Sequence, residues 1–194
     1  MPLPLKNNYE HWTYADYLTW PDDERWEIID GVAYAMTPAP TTAHQRILRN
    51  LAFAINVQLD GKDCELFLAP FDVRLSQNKQ QSDNYIETVV QPDIIVVCDS
   101  SKIDDRGCNG APDLVIEILS PSTSKYDLSE KRSLYERHAV GEIWFVHPLD
   151  KTIMIFYLQE NGKYGSPDVY GEEETVVPKS VDGVEVDLRD VFTE

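Results

Sequence analysis

Two apolar runs near the middle of the chain set its pattern. Gln91-Pro92-Asp93-Ile94-Ile95-Val96-Val97-Cys98 and Asp113-Leu114-Val115-Ile116-Glu117-Ile118-Leu119 are rich in β-branched residues and bounded by turn formers. Both predict buried strands. Upstream, Thr13-Tyr14-Ala15-Asp16 has the form of a helix cap with an acidic first turn, opening a short helix that stops before Pro21. From Arg25 to Met36, apolar residues flank Asp30-Gly31, a hairpin turn pair, because both positions of a type I′ turn need positive φ. Thr41 or Thr42 caps a long helix running to about Leu59 and closed by Gly61. Ile47, Leu48, Leu51, Ala54, Ile55, Val57 and Leu59 include a helical stripe suited to packing on a sheet.

Cys64 to Leu75 ends in alternation, with Phe71, Val73 and Leu75 opposed to Asp72 and Arg74. Ser76 to Glu87 is polar and rich in Gln and Asn, a loop between strands. Ser120 to Ser124 is a turn that supplies caps for a helix over about Lys125 to Ala139, ending near Gly141. Glu142 to His147 is a further buried strand, turned by Pro148 to Lys151 into Thr152 to Leu158. In the Gly- and acid-rich tail, short strands are expected near Val176 and Val184, and a last turn over Leu188 to Phe192. The order predicts an α/β arrangement, a mixed sheet flanked by helices. Residues 1–194 read as a single domain, with a core over about 13–158 and a β-rich tail over 159–194.

Each of the two central runs carries a carboxylate where a core strand should be apolar. An ionised carboxylate taken from water into an apolar sheet costs several kcal/mol unless something pairs with it. Asp93 shares a strand face with Ile95 and Val97, and Glu117 with Val115 and Leu119. If the strands pair antiparallel, one register brings the two acids together. A divalent cation would then relieve their repulsion, and oxygen ligands suit Mg²⁺ or Mn²⁺. The competing reading has Asp93 capping a strand end and Glu117 paired with a buried Arg or Lys. Glu27, taken alone, reads as a solvent-facing hairpin residue. His44, in the first turn of the long helix, reads as a local hydrogen-bonder. Asp127, Lys131 and Tyr135 recur every fourth residue, on roughly one helix face. That face is either solvated with an ordinary ion pair, or places Lys131 at the edge of the apolar stripe.

Composition narrows the classes. The net charge of −17, from 34 acids against 17 Lys and Arg, argues against simple binding to a phosphate backbone. Three cysteines, Cys64, Cys98 and Cys108, form no CxxC and leave one over, so reduced thiols in a reducing compartment are expected. Met1 to Asn8 lacks the basic-then-apolar order of a secretory signal, and no apolar run reaches the roughly eighteen residues of a membrane span. A cytoplasmic protein without membrane association is expected. No internal repeat or low-complexity tract is present.

Pro92-Asp93, a strand bearing Glu117 and a following helix resemble the core of the PD-(D/E)XK nuclease superfamily. More narrowly, the chain resembles a large bacterial family of restriction-endonuclease-like proteins over about Thr13 to Leu158. The stretches that carry this are Trp26 to Gly31, Met36 to Pro40 followed by His44, Gln91 to Ile94, Pro112 to Ser122, Asp127 with Lys131 and Tyr135, and Glu142 to Val146. The resemblance implies a restriction-endonuclease-like mixed central sheet flanked by helices, with an added N-terminal hairpin. It implies a metal-dependent endonuclease hydrolysing phosphodiester bonds, with DNA ahead of RNA as nucleic-acid partner, Mg²⁺ or Mn²⁺ as cofactor and a homodimer as assembly. Asp93, Glu117 and the main-chain carbonyl of Ile118 would hold the metal, Lys131 would act on the attacking water or the phosphate charge, and Glu27 would be an outer or second-metal ligand. His44 and Tyr135 would be auxiliary. One departure stands out. The superfamily places a lysine two residues after the strand acid, where this chain has Leu119, so Lys131 would supply the ammonium from the next helix. The alternative implied is a catalytically silent nuclease-fold module that binds nucleic acid or protein.

Overall fold

The computed structural model describes residues 11–21, 24–36, 40–76, 81–120 and 127–193. Local chemistry sets the first elements as predicted. Thr13 caps helix α1 (Tyr14–Tyr17), accepting the Asp16 N–H, and the Asp16 carboxylate takes the Thr13 N–H at 2.9 Å. Strands β1 (Trp26–Ile29) and β2 (Val32–Ala35) form the hairpin, with φ of 49° at Asp30 and 76° at Gly31. Helix α2 (Thr42–Asn56) starts at Thr41, whose hydroxyl accepts the His44 N–H at 3.2 Å. It buries Ile47, Leu51 and Ile55. It ends earlier than expected because Gln58 and Leu59 bond three residues back, to Ile55 and Asn56, which tightens the last turn.

The remaining strands are β3 (Glu65–Leu68), β4 (Val73–Arg74), β5 (Val89–Val90), β6 (Ile94–Val97), β7 (Ile103–Asp104), β8 (Gly107–Asn109), β9 (Leu114–Ile118), β10 (Glu142–His147), β11 (Thr152–Tyr157), β12 (Asp168–Gly171), β13 (Thr175–Val176) and β14 (Val186–Asp187). The fold is the expected α/β arrangement of mixed sheets flanked by helices: the described residues build two six-stranded mixed sheets, β2-β1-β5-β4-β8-β7 and β12-β11-β10-β9-β6-β3, and the pair β13-β14. The predicted hairpin is the outer part of the first sheet. In the second, β9 and β10 run parallel and the other neighbours antiparallel.

The second sheet is covered on both faces, which is why β6 is apolar throughout, β9 is apolar but for Glu117, and most of β10 is apolar. One face packs Ile94, Val96, Leu114 and Ile116 against Ile47, Leu51 and Ile55 of α2, and against Val186 and Leu188 of the C-terminal segment. That segment ends in helix α4 (Leu188–Val191). The other face packs Ile95, Val97, Val115 and Phe145 against Ile29, Val73 and Val90 of the first sheet and against Leu134 and Tyr135. Leu134 and Tyr135 belong to helix α3 (Arg132–Arg137), which continues a π-helical turn over Asp127–Lys131. The expected start of that helix and the turn before it, 121–126, lie outside the described residues, as do 37–39 of the expected hairpin end. The predicted loop over Ser76 to Glu87 carries a 3₁₀ turn at Asp83–Tyr85.

One expectation is overturned. Cys64 and Cys98 are joined in a disulfide, so the three cysteines are not all reduced thiols; Cys108 alone is free. The reason is the β3–β6 register. Glu65 faces Val97, and Cys64 faces Cys98 one step further out. Thirty-four residues of separation hide that contact in the sequence. Among the described residues no helix is long and apolar enough to cross a membrane.

Candidate active site

The Gln91-Pro92-Asp93 segment is where the chain leaves the first sheet, at β5, and enters the second, at β6. Pro92 suits this crossing because it needs no ladder donor. Ile94 faces Ile116 in the antiparallel β6–β9 pair, so Asp93 at the head of β6 lies one step beyond, near Glu117 along the register. Asp93 turns its Oδ2 to the Ile118 N–H at 2.8 Å and to His44 Nε2 at 3.2 Å. The first capping turn of α2 thus delivers His44 to the acid that the sheet crossing delivers. His44 Nδ1 has no partner among the described residues, and since a carboxylate only accepts, Nε2 is the nitrogen that donates to Asp93.

Glu27 comes from β1 on the other side of the layer, and it is buried rather than solvent-facing. The reason is its parity with Ile29, which packs into the core between the two sheets. Glu27 Oε1 accepts the main-chain N–H of Gln91 at 3.0 Å and lies 3.2 Å from the Lys131 ammonium. The same ammonium donates to Glu117 Oε1 at 3.0 Å, and the Tyr135 hydroxyl donates to that oxygen at 2.6 Å. Lys131 ends the π-helical turn and Tyr135 sits one turn on, so both reach one carboxylate oxygen. Burial holds the Tyr135 phenol well above its ordinary pKa, and the charges of Glu117 and Glu27 push it the same way against Lys131. Tyr135 is therefore a fixed donor to Glu117.

Of the predicted side chains, Glu27, Glu117, Lys131 and Tyr135 share one contact network, and His44 and Asp93 form a separate pair. The Asp127 side chain lies outside the described residues. Asp113 sits at the far end of β9, where it accepts the Cys98 N–H at 2.7 Å. The sequence reading missed the surroundings of Gln91. Its amide oxygen accepts two bonds from Arg25, at 2.8 and 3.1 Å, and its amide nitrogen donates to Asp72 at 2.9 Å and Tyr17 at 3.2 Å. A buried amide next to a Pro-Asp crossing was the only hint in the sequence.

The cluster is graded in exposure. The side chains of Glu27, Glu117 and Lys131 are 6–7% exposed, against 14% for His44 and 21% for Asp93, so solvent reaches it past Asp93 and His44. Lys131 is shared by the two acids that face each other across the layer, one ammonium between two carboxylates. Among the described residues, no three His, Cys, Asp or Glu side chains are arranged to enclose a metal. A looser donor set is present. A strand residue points its N–H and C=O to the same side, so the Ile118 carbonyl lies on the Asp93 side of β9. Two carboxylates and a carbonyl fit a hard divalent cation that keeps water in its other positions. An open concavity of about 510 Å³, lined in part by Asp30, Ser76, Tyr85, Glu87 and Arg137, includes none of these groups.

Comparison with known proteins gives three findings. The family model described as "Uma2: Putative restriction endonuclease" matches residues 14–189. The uncharacterized protein slr1290 of Synechocystis sp. (strain ATCC 27184 / PCC 6803 / Kazusa) is 33% identical over 152 residues, 77% of this chain and 75% of that protein. A crystal structure described as a putative nuclease belonging to DUF820, from Anabaena variabilis ATCC 29413, superposes with a TM-score of 0.72 at 21% identity. It covers 93% of this chain and 97% of that one, and at that identity the likeness shows the fold alone.

Proposed function

The chain belongs to the Uma2 family of restriction-endonuclease-like proteins, and on that premise we propose that it is a metal-dependent endonuclease hydrolysing phosphodiester bonds, DNA ahead of RNA. What supports this reading is Lys131 of the π-helical turn held between Glu27 of β1 and Glu117 of β9, with Asp93 at the head of β6 one register step away. These are the residue types that hydrolysis needs, three acids and one amine, drawn from four separate elements.

Asp93, Glu117 and the Ile118 carbonyl would hold Mg²⁺ or Mn²⁺. When bound, the cation lowers the pKa of a coordinated water and offsets charge on the scissile phosphate. The protein's own groups do the positioning. His44 and the Ile118 N–H fix one oxygen of Asp93, and Lys131 and Tyr135 fix one oxygen of Glu117. Lys131 holds a positive charge beside the water site, where it orients the nucleophile and balances the phosphate. It replaces the superfamily lysine at the Leu119 position because the chemistry needs an ammonium near the reacting atoms, whichever element carries it. Glu27 keeps that ammonium in place from the opposite sheet.

A silent nuclease-fold module is the second reading, favoured by the −17 charge and by the low exposure of Glu117 and Lys131. Supercoiled plasmid incubated with Mg²⁺ or Mn²⁺ separates the two. Nicking by the wild type, lost in Asp93→Ala and Glu117→Ala, is the expected result. Intact plasmid, or nicking that survives both substitutions, would sink the endonuclease.

A further inference from the structure

The site draws Glu27 from one sheet and Asp93 and Glu117 from the other, so something must hold the two sheets in register at the crossing. The geometry assigns that task to Gln91, a positioning residue that couples Glu27 to Asp93 through its own main chain. The inference rests on the nuclease reading for its purpose, but its physical content does not need a metal.

Gln91 is 7% exposed, and its described polar bonds all face two ways. Its side-chain amide is held at both ends, by two Arg25 bonds on the oxygen and by Asp72 and Tyr17 on the nitrogen. A primary amide has the inventory for this, two acceptor lone pairs and two donor hydrogens, and neither a carboxylate nor a hydrocarbon does. With the side chain pinned, the main chain cannot rotate freely about residue 91. Its N–H is held on Glu27 Oε1 at 3.0 Å. Two residues on, Asp93 is in turn tied by its carbonyl, which accepts the Ala69 N–H at 3.1 Å, and by its carboxylate on the Ile118 N–H. Pro92 between them removes most of the remaining freedom. Arg25, Asp72 and Tyr17 touch none of the acids directly. Their effect on the site passes through Gln91.

Amide hydrogen exchange in metal-free protein reads both ends of this coupling. The Gln91 amide reports the bond to Glu27, and the Ile118 amide reports the Asp93 carboxylate. Gln91→Met keeps the length and removes the amide. Arg25→Met, at an exposed position, loosens the clamp without touching Gln91. Both variants should speed exchange at residues 91 and 118 by about tenfold or more, with Val115 and Phe145 deep in the second sheet unchanged. Equal acceleration at all four amides would mean general destabilisation and overturn the proposal, as would unchanged exchange at 91 and 118. A parallel Mg²⁺ melting series keeps the two claims apart. If the wild type gains nothing from Mg²⁺ while the exchange pattern holds, the metal reading fails and the role of Gln91 stands. If the wild type gains and Gln91→Met exchanges like the wild type, the reverse is true.

Discussion

The Asp93 carboxylate accepts the Ile118 N–H at 2.8 Å. Strand β6 begins only at Ile94, so the side chain of Asp93 does the work of a ladder carbonyl for the strand that carries Glu117. One Asp93 oxygen is thereby locked beside β9, one residue along from Glu117. If Mg²⁺ binds the folded state there, saturation at about a hundred times Kd adds about 2.7 kcal/mol. For a chain of this size that is roughly 5–10 °C in Tm. Asp93→Asn should abolish the rise in a thermal melt. A rise of the same size in Asp93→Asn would place the cation elsewhere.

Lys131 is the counterion of Glu27 and Glu117, and all three are buried. Lys131→Met leaves two acids without their cation inside the protein. Its expected cost is about 3–5 kcal/mol in urea unfolding. Adding Glu27→Gln removes one of the stranded charges and should recover part of that loss. Additive losses would mean that the two groups are not coupled.

Tyr135 tests the same carboxylate from the other side. Tyr135→Phe removes a 2.6 Å bond to a charged oxygen, at an expected cost of about 1.5–3 kcal/mol. Nicking activity should fall with it, because Glu117 loses one of the two described donors that aim it. Full activity with lowered stability would confine Tyr135 to the fold.

Alkaline pH probes the buried and half-buried phenols together. Burial, with Asp72 adding to it, pushes Tyr14 up to about 12, and burial pushes Tyr17, Tyr135, Tyr157 and Tyr164 upward too. In the unfolded chain these groups ionise near about 10. Below that pH both states keep the proton and stability is unaffected. Above it the unfolded state releases protons that the folded state retains, so stability falls as pH rises. Tyrosinate absorbance from these five should therefore appear together with loss of circular dichroism. A full tyrosinate signal in folded protein would contradict their burial.

Thiol counting checks the cross-strand pair. Denatured, unreduced protein should titrate one thiol, Cys108, and reduced protein three. Native protein should react slowly, because burial pushes the Cys108 thiol up to about 12. Three thiols without reductant would restore the expectation drawn from the sequence.

What could be read in advance was local or strongly periodic. Thr13, Asp30-Gly31 and Thr41 act within a few residues of themselves, and their caps and turn formed as read. The β6 and β9 runs were legible because burial on both faces demands apolar residues, broken in β9 only by Glu117. Of the two-residue strands, β5 and β7 show no period and were not read, whereas β13 and β14 formed near the expected Val176 and Val184. Glu27 looked solvent-facing because a hairpin arm by itself does not reveal the second sheet that covers it. The Gln91 clamp was invisible for a similar reason, since Tyr17, Arg25 and Asp72 reach it from three distant places in the chain.

Lys131 gives Glu27 and Glu117 a counterion drawn from the chain itself. On the metal-dependent reading proposed above, a chelator would then silence the protein without dismantling it, and resupply of the cation would restore it without a new round of folding.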